Sequence, residues 1–269
     1  MLRLSIAVIL TLVSLLARAT NAQQTTVQVG VSANQKEIEV LGFEDMRYPP
    51  LAQYAPFQSE GVVVVQVSLA EDGSVADATA ISGNFVLIPE TLANVRRWKF
   101  KSSGSKNAIV VYNFRTIRGD CRVASSLFTF LHPNFVTVLG CLPATDAWVK
   151  IVPIPRAGTI SDSDIQVVHF DSDLKYPPLA RVAKIEGVVL VQAKLDDDGR
   201  VKEALPIYGN ALLSSECVAN AKKWHFHPNS ARKAVLVYDF RLTGENEGGV
   251  SVKLPNFITI RDITSVVQP

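Results

Sequence analysis

Tyr48-Pro49-Pro50-Leu51-Ala52 opens a series that continues with Glu60-Gly61-Val62-Val63-Val64-Val65-Gln66-Val67, Glu71-Asp72-Gly73 and Trp98-Lys99-Phe100. The chain then repeats it as Tyr176-Pro177-Pro178-Leu179-Ala180, Glu186-Gly187-Val188-Val189-Leu190-Val191-Gln192, Asp197-Asp198-Gly199 and Trp224-His225-Phe226-His227-Pro228. Tyr48 and Tyr176 lie 128 positions apart, whereas Gly61 and Gly187, Gly73 and Gly199, Trp98 and Trp224, and Tyr112 and Tyr238 are each separated by 126. Pro133-Asn134-Phe135 and Pro255-Asn256-Phe257 follow at a separation of 122. A constant offset interrupted only at loops is the mark of a duplication, and copies of about 100 residues suit two small domains rather than a solenoid.

Each copy reads the same way. Glu37 to Phe43 and Asp164 to Phe170 form short strands. Proline at the second and third motif positions suits the first turn of a helix, where the missing amide proton costs nothing, so helices start near Pro49 and Pro177. Val63, Val65, Val67 and Leu69 then alternate, as do Val189, Val191, Ala193 and Leu195, which is the period of a strand. Asp72-Gly73 and Asp198-Gly199 signal hairpins, because glycine accepts the positive φ of a primed turn. The returning strands are Val75 to Ile81 and Val201 to Ile207. Helices follow over Pro89 to Arg97 and Ser214 to Lys223, with Leu92, Val95 and Trp98, or Val218, Ala221 and Trp224, on one face. Strands Ala108 to Phe114 and Ala234 to Leu242 complete the unit, and each copy adds one more, Phe135 to Leu139 and Phe257 to Ile260. The predicted class is α+β: two tandem domains, each a small antiparallel sheet with two helices on one face.

Of the 269 residues, 48% are hydrophobic and 19% charged, which supplies ample core and argues against disorder. The net charge of +2 gives no case for a nucleic-acid partner, and three cysteines exclude a disulfide framework. At the N-terminus Arg3 precedes an apolar run from Leu4 to Leu16 and a small-residue exit at Ala17-Arg18-Ala19 or Thr20-Asn21-Ala22. This is the pattern of an export signal cleaved after Ala22; a retained anchor is the alternative. The run is shorter than the ~20 residues that span a bilayer, and no later segment is apolar enough to cross one. The expected division is a signal at 1–22, a loose polar lead-in at 23–36, a first domain at 37–140, a linker at 141–163, a second domain at 164–262 and a tail at 263–269.

The combination of Tyr-Pro-x-x-Ala, Glu-Gly-x-Val-x-Val, an Asp-Gly turn and a helix ending in Trp-x-Phe-x-Pro resembles the C-terminal domain of TonB, whose family couples the inner-membrane motor to outer-membrane receptors. Both copies carry it, although the first reads Trp98-Lys99-Phe100-Lys101-Ser102 and lacks the final proline. A transducer of that family also has an uncleaved membrane helix, a Pro-rich spacer and a single terminal domain, and this chain departs from each. The resemblance implies a fold more firmly than a function.

The binding surface the resemblance implies is a sheet edge to which a receptor's extended peptide adds as a further strand. The matching residues are Val110, Val111, Tyr112, Asn113 and Phe114 in the first copy and Val235, Leu236, Val237, Tyr238, Asp239 and Phe240 in the second. Arg115 and Arg241 follow directly and are placed to pair with an acidic peptide residue. The competing reading is that Phe135 to Val138 and Phe257 to Ile260 occupy that edge from within; a sheet shared between domains or in a homodimer is a third. Tyr48 and Tyr176, amphipathic residues at a helix mouth, are candidate partner contacts, whereas Trp98, Phe100, Trp224 and Phe226 read as core.

Asp196-Asp197-Asp198-Gly199 lacks the alternating ligands of a calcium loop and reads as a solvated hairpin tip. His225 and His227 lack further ligands for a metal. Cys121 and Cys141 bracket the extra strand of the first copy and are candidates for a disulfide in an oxidising compartment, while Cys217 reads as a buried free thiol. Arg96-Arg97 and Lys222-Lys223 read as solvated helix ends. No phosphate loop or nucleophile elbow occurs, so no catalytic role and no cofactor are expected. The functional expectation is a non-enzymatic periplasmic or secreted module that binds an envelope protein, such as a receptor peptide, in TonB-dependent outer-membrane transport. Its rivals are a structural or dimerising scaffold with self-occluded edges, and a membrane-anchored transducer if the N-terminal segment is retained.

Overall fold

The computed structural model describes residues 30–31, 39–53, 59–101, 106–119, 128–143, 166–229, 231–244, 248–253 and 255–263. The expected signal at 1–22, Cys121, and 144–165, the greater part of the expected linker, lie outside the described residues. The first copy runs β2 (Val40–Gly42), α1 (Pro50–Gln53), β3 (Gly61–Leu69), β4 (Val75–Ser82), α2 (Ile88–Val95), β5 (Lys99–Phe100), β6 (Asn107–Gly119), β7 (Phe128–His132) and β8 (Phe135–Pro143). The second repeats that order as β9 (Val167–His169), α3 (Pro178–Val182), β10 (Gly187–Leu195), β11 (Val201–Tyr208), α4 (Ala211–Ala221), β12 (His225–Phe226), β13 (Lys233–Thr243), β14 (Gly249–Lys253) and β15 (Phe257–Ile263). A short strand, β1 (Gly30–Val31), precedes both, inside the stretch expected as a loose lead-in.

The molecule is mostly sheet with a few short helices, in keeping with an α+β fold. The first main sheet has the order β4-β3-β6-β8-β7 and the second β1-β14-β15-β13-β10-β11. These sheets are mixed rather than antiparallel: β8 runs parallel to β6, with Val111 opposite Phe135, and β15 parallel to β13, with Val237 opposite Phe257. Strands β7 and β14, which the sequence reading did not anticipate, form hairpins with β8 and β15 over the Pro133-Asn134 and Pro255-Asn256 turns.

The hairpins at Asp72-Gly73 and Asp198-Gly199 form as the sequence predicts, with φ of 82° at Gly73 and 85° at Gly199. A second constraint acts on Gly199: a Cβ there would fall 1.9 Å from the carbonyl oxygen of Phe226. The Phe226 amide donates to Gly199 O at 2.9 Å, and Phe100 to Gly73 O at 2.8 Å. This contact explains why the Asp-Gly turn and the Trp-x-Phe segment recur together. In each copy the Trp-x-Phe strand also pairs with the first strand, Phe100 opposite Val40 and Phe226 opposite Val167.

The Val-rich runs are buried on both faces. Val63, Val65, Val67, Val110, Tyr112, Trp98 and Val95 enter one core beneath α2, and Val189, Val191, Leu236, Tyr238, Trp224 and Cys217 enter its counterpart beneath α4. The alternate residues Val62, Val64, Ile109, Val111 and Phe135 meet Val188, Leu190, Val235, Val237 and Phe257 in a third core. The two main sheets therefore pack back to back, with the helix-bearing faces outward. Asn134 and Asn256, equivalent residues, meet across this boundary, where Asn134 Nδ2 donates to Asn256 Oδ1 at 2.7 Å. The contact of two equivalent residues places a pseudo-twofold relation at the centre of the interface.

Candidate functional site

The strands to which the resemblance assigns peptide binding lie in the middle of their sheets. β6 is flanked by β3, with Val64 opposite Val111, and by β8; β13 is flanked by β10, with Leu190 opposite Val237, and by β15. Val110 to Phe114 and Val235 to Phe240 are consequently neither edge residues nor exposed, and the expectation of an open edge there is corrected. Of the alternatives, self-occupation is the one present: the Pro-Asn-Phe strands add in parallel to that side of both copies.

The arginines are used within the chain. Arg115 Nη1 lies 3.7 Å from Glu60 Oε2, and Glu60 Oε1 accepts from the Thr116 backbone and hydroxyl. Arg241 Nε donates to Asp239 Oδ2 at 3.0 Å, and its Nη2 donates to Ile81 O of the first copy. Asp239 is buried; desolvation raises its carboxyl above the ordinary range, against the opposing pull of Arg241. Arg241 is thus a strut between the copies rather than a receptor for an acidic peptide residue.

The tyrosines are core residues rather than exposed ones at a helix mouth. Tyr48 and Tyr176 are buried, their rings edge-on to Phe114 at 5.5 Å and Phe240 at 5.2 Å. The Tyr48 hydroxyl donates to Ser59 O at 2.6 Å, and that of Tyr176 to Ile185 O. Desolvation, followed by the Glu186 charge, pushes the Tyr176 phenol up to about 12. An amphipathic side chain at the mouth of a short helix satisfies its hydroxyl locally here and closes the core.

Trp98, Phe100, Trp224 and Phe226 are core, and a polar node that the sequence reading missed holds the indoles. Asn94 Oδ1 accepts from Trp98 Nε1 at 3.0 Å and from the Tyr112 hydroxyl at 2.9 Å, while Asn94 Nδ2 donates to Glu44 O. Asn220 repeats this with Trp224 at 3.0 Å, Tyr238 at 2.9 Å and Asp171 O. The signal was present: Asn stands four residues before Trp in both copies, the spacing that places two side chains on one helix face.

Other sequence candidates resolve locally. The Asp196 carboxylate accepts the amides of Asp198 and Arg200, closing the hairpin tip, and His225 Nε2 lies 2.9 Å from Asp198 O. Cys217 is a buried free thiol. Among the described residues no group of His, Cys, Asp or Glu is arranged to hold a metal. The Cys141 side chain, like all of Cys121, lies outside what is described, and with it the candidate disulfide.

With β6 and β13 enclosed, the outermost strands among the described residues are β4 and β7 in the first sheet and β11 and β1 in the second. β11 carries Lys202, Glu203 and Pro206, which blunt it as an edge. Beyond β15 the copies differ. β7 is the outermost strand on its side of the first sheet, whereas β14 has β1 beside it in parallel, Gly30 opposite Ser251 and Val31 opposite Val252. Phe128 and Phe130 of β7 pack with Phe43 and Trp98; the residues 122 positions on are Val250 and Val252. Beside β14 there is a cavity of about 600 Å³, bordered by Tyr176, Pro177, Arg181, Val250, Ile260 and Asp262.

No curated protein and no solved structure matches the chain. The family described as Gram-negative bacterial TonB protein C-terminal matches twice, over residues 44–116 and 172–241, together more than half of the sequence. Both segments run from the approach to the Tyr-Pro motif into the central strand, β6 or β13, and stop before the β7-β8 and β14-β15 hairpins that the structure also repeats. The chain therefore belongs to the TonB C-terminal family, with two tandem copies of its domain.

Proposed function

We propose that the protein is a non-enzymatic, exported module of the Gram-negative envelope that binds another envelope protein by accepting an extended peptide as an added strand, in support of TonB-dependent outer-membrane transport. The family is one of envelope-transport domains, and among the described residues no helix is long and apolar enough to cross a membrane. The observation that supports the reading is the layout of the sheets: with β8 and β15 beside β6 and β13, the positions left for an added strand on that side are beyond β7 and, in the second sheet, beyond β14, where β1 now lies. The test is titration of isotopically labelled protein with extended peptides from outer-membrane receptors. Shifts at the β7 or β14 amides are expected; shifts confined to β6 or β13 would place binding where the chain's own strands must first leave.

A scaffold reading has its own support, since β8 and β15 occupy the peptide-accepting side in both copies and the sheets cover one another's backs. Absence of binding by every receptor peptide, with β7 and β14 amides exchange-protected in the isolated protein, would favour it, and a stable homodimer in sedimentation would strengthen it further. Export rests on the N-terminal pattern. An exported protein whose mass begins at Gln23 supports the periplasmic or secreted reading, and intact Met1 in the membrane fraction would revive an anchored transducer.

A further inference from the structure

We propose that the outer edge of β14 is a parallel-strand acceptor that the chain fills in cis with its own residues at Gly30–Val31, so that the N-terminal segment is a built-in competitor for an incoming strand. This rests on the strand-addition reading above and names its edge and its regulation. Three observations converge on it.

The first is the pairing itself: Gly30 and Val31 lie opposite Ser251 and Val252 in parallel, the orientation in which β8 and β15 join their own sheets. The second is anchorage. Val250 and Val252 are buried in the second core, so β14 is held from beneath while its outer backbone edge faces away from β15. An edge so held needs no reordering to receive a strand, which removes part of the entropic cost of binding. The third is the cavity beside Gly248, Gly249 and Val250. A parallel strand in the register of Gly30 and Val31 that extends towards its own N-terminus runs along these residues and past the cavity. In the first copy Phe128 and Phe130 stand where the second has Val250, which borders the cavity, and Val252.

The sequence around β1 states the chemistry the edge takes. Thr25-Thr26-Val27-Gln28-Val29-Gly30-Val31-Ser32-Ala33 is uncharged, proline-free and rich in β-branched residues, a composition suited to a pleated strand. The partner is accordingly an extended, uncharged segment with valine or threonine at alternate positions.

Two measurements on the full chain test this. Cysteines introduced as Gly30→Cys and Ser251→Cys, at paired positions, should cross-link within one molecule on mild oxidation, as read by non-reducing peptide mapping. No link, or a link only between molecules, overturns the occupation in cis. A fluorescent peptide of residues 25–33 should then bind the Val31→Pro variant at least tenfold more tightly than the parent chain, with amide shifts at Ser251 and Val252. Equal binding to both, or shifts elsewhere, overturns the competition; unchanged melting of Val31→Pro guards against misfolding. The outcomes also separate from those for the function. A receptor peptide that binds away from β14 removes only this inference, whereas binding of peptide 25–33 at β14 with no envelope peptide accepted removes the transport reading instead.

Discussion

Asn94 and Asn220 are where single residues matter most. Each carboxamide oxygen satisfies an indole N–H and a phenol O–H that are sealed from water. A buried polar group left without its partner costs about 1–3 kcal/mol, so Asn94→Ala or Asn220→Ala should destabilise the protein by roughly 2–4 kcal/mol in urea unfolding. Asn94→Asp keeps the acceptor but loses the donor to Glu44 O and buries a charge, and is expected to do no better. His132 is the other residue with a large stake. It is buried at the boundary between the copies, where its Nε2 accepts the Val235 amide at 3.0 Å while Nδ1 has no partner among the described residues. Burial alone lowers its pKa from 6.5 to about 3. Above pH 6.5 the imidazole is neutral in both folded and unfolded chains, so this residue adds no pH dependence. Between pH 6.5 and 3 the unfolded chain takes up a proton that the folded one refuses, and stability falls as pH falls. The drop between pH 7 and 5 is about 2 kcal/mol from this residue. His132→Gln keeps an acceptor without a proton to bind, and comparison of the two unfolding curves at these pH values should show the difference vanish.

At the scale of elements, Gly199 joins a turn to the strand that closes the domain. The positive φ and the 1.9 Å approach of a Cβ to Phe226 O act together, so Gly199→Ala must both strain the turn and displace β12. A loss of at least ~3 kcal/mol is expected in urea unfolding, with early hydrogen exchange at the Phe226 amide. This pairing of turn and Trp-x-Phe segment was legible from the sequence only as co-occurrence. The elements themselves were largely legible, because the Val-rich runs, the Asp-Gly turns and the prolines act locally. Two things were not. β7 and β14 are five-residue strands whose partners lie across a turn; Phe128 and Phe130, like Val250 and Val252, alternate as a strand does, but so short a period does not read as a strand apart from the β8 and β15 it pairs with. The position of β6 and β13 was the other. Sequence places a strand, but whether its edge is open depends on which later segment folds back, and both outcomes fit the same residues. The candidate residues there were located correctly as strands and wrongly as an edge. The correction has a measurable form: amides of Val111 to Phe114 and Val237 to Phe240 should exchange among the slowest in the protein, since their strands are flanked on both sides there.

For the whole molecule, the decisive feature is the core shared by the two sheets. Val62, Val64, Val188 and Leu190 are the residues that an alternating strand would turn to solvent, and unbroken valine runs are what strands buried on both faces look like. The two copies should therefore unfold together rather than as independent domains. Leu190 and Val191 separate this coupling from ordinary core packing. Both are fully buried neighbours on β10, but Leu190 enters the shared core and Val191 the second copy's own. Leu190→Ala should cost about 2–5 kcal/mol and weaken the link, so that hydrogen exchange at intermediate urea shows one copy opening before the other. Val191→Ala should also destabilise, yet leave the opening of the two copies coincident if their joint stability is set by the shared core. Measured by mass on peptides from each copy, separate opening in the parent protein would mean that the sheets pack without energetic coupling. Coincident opening that Leu190→Ala splits and Val191→Ala does not would show that the tandem behaves as one folding unit, with the shared core as the reason two copies persist in one chain.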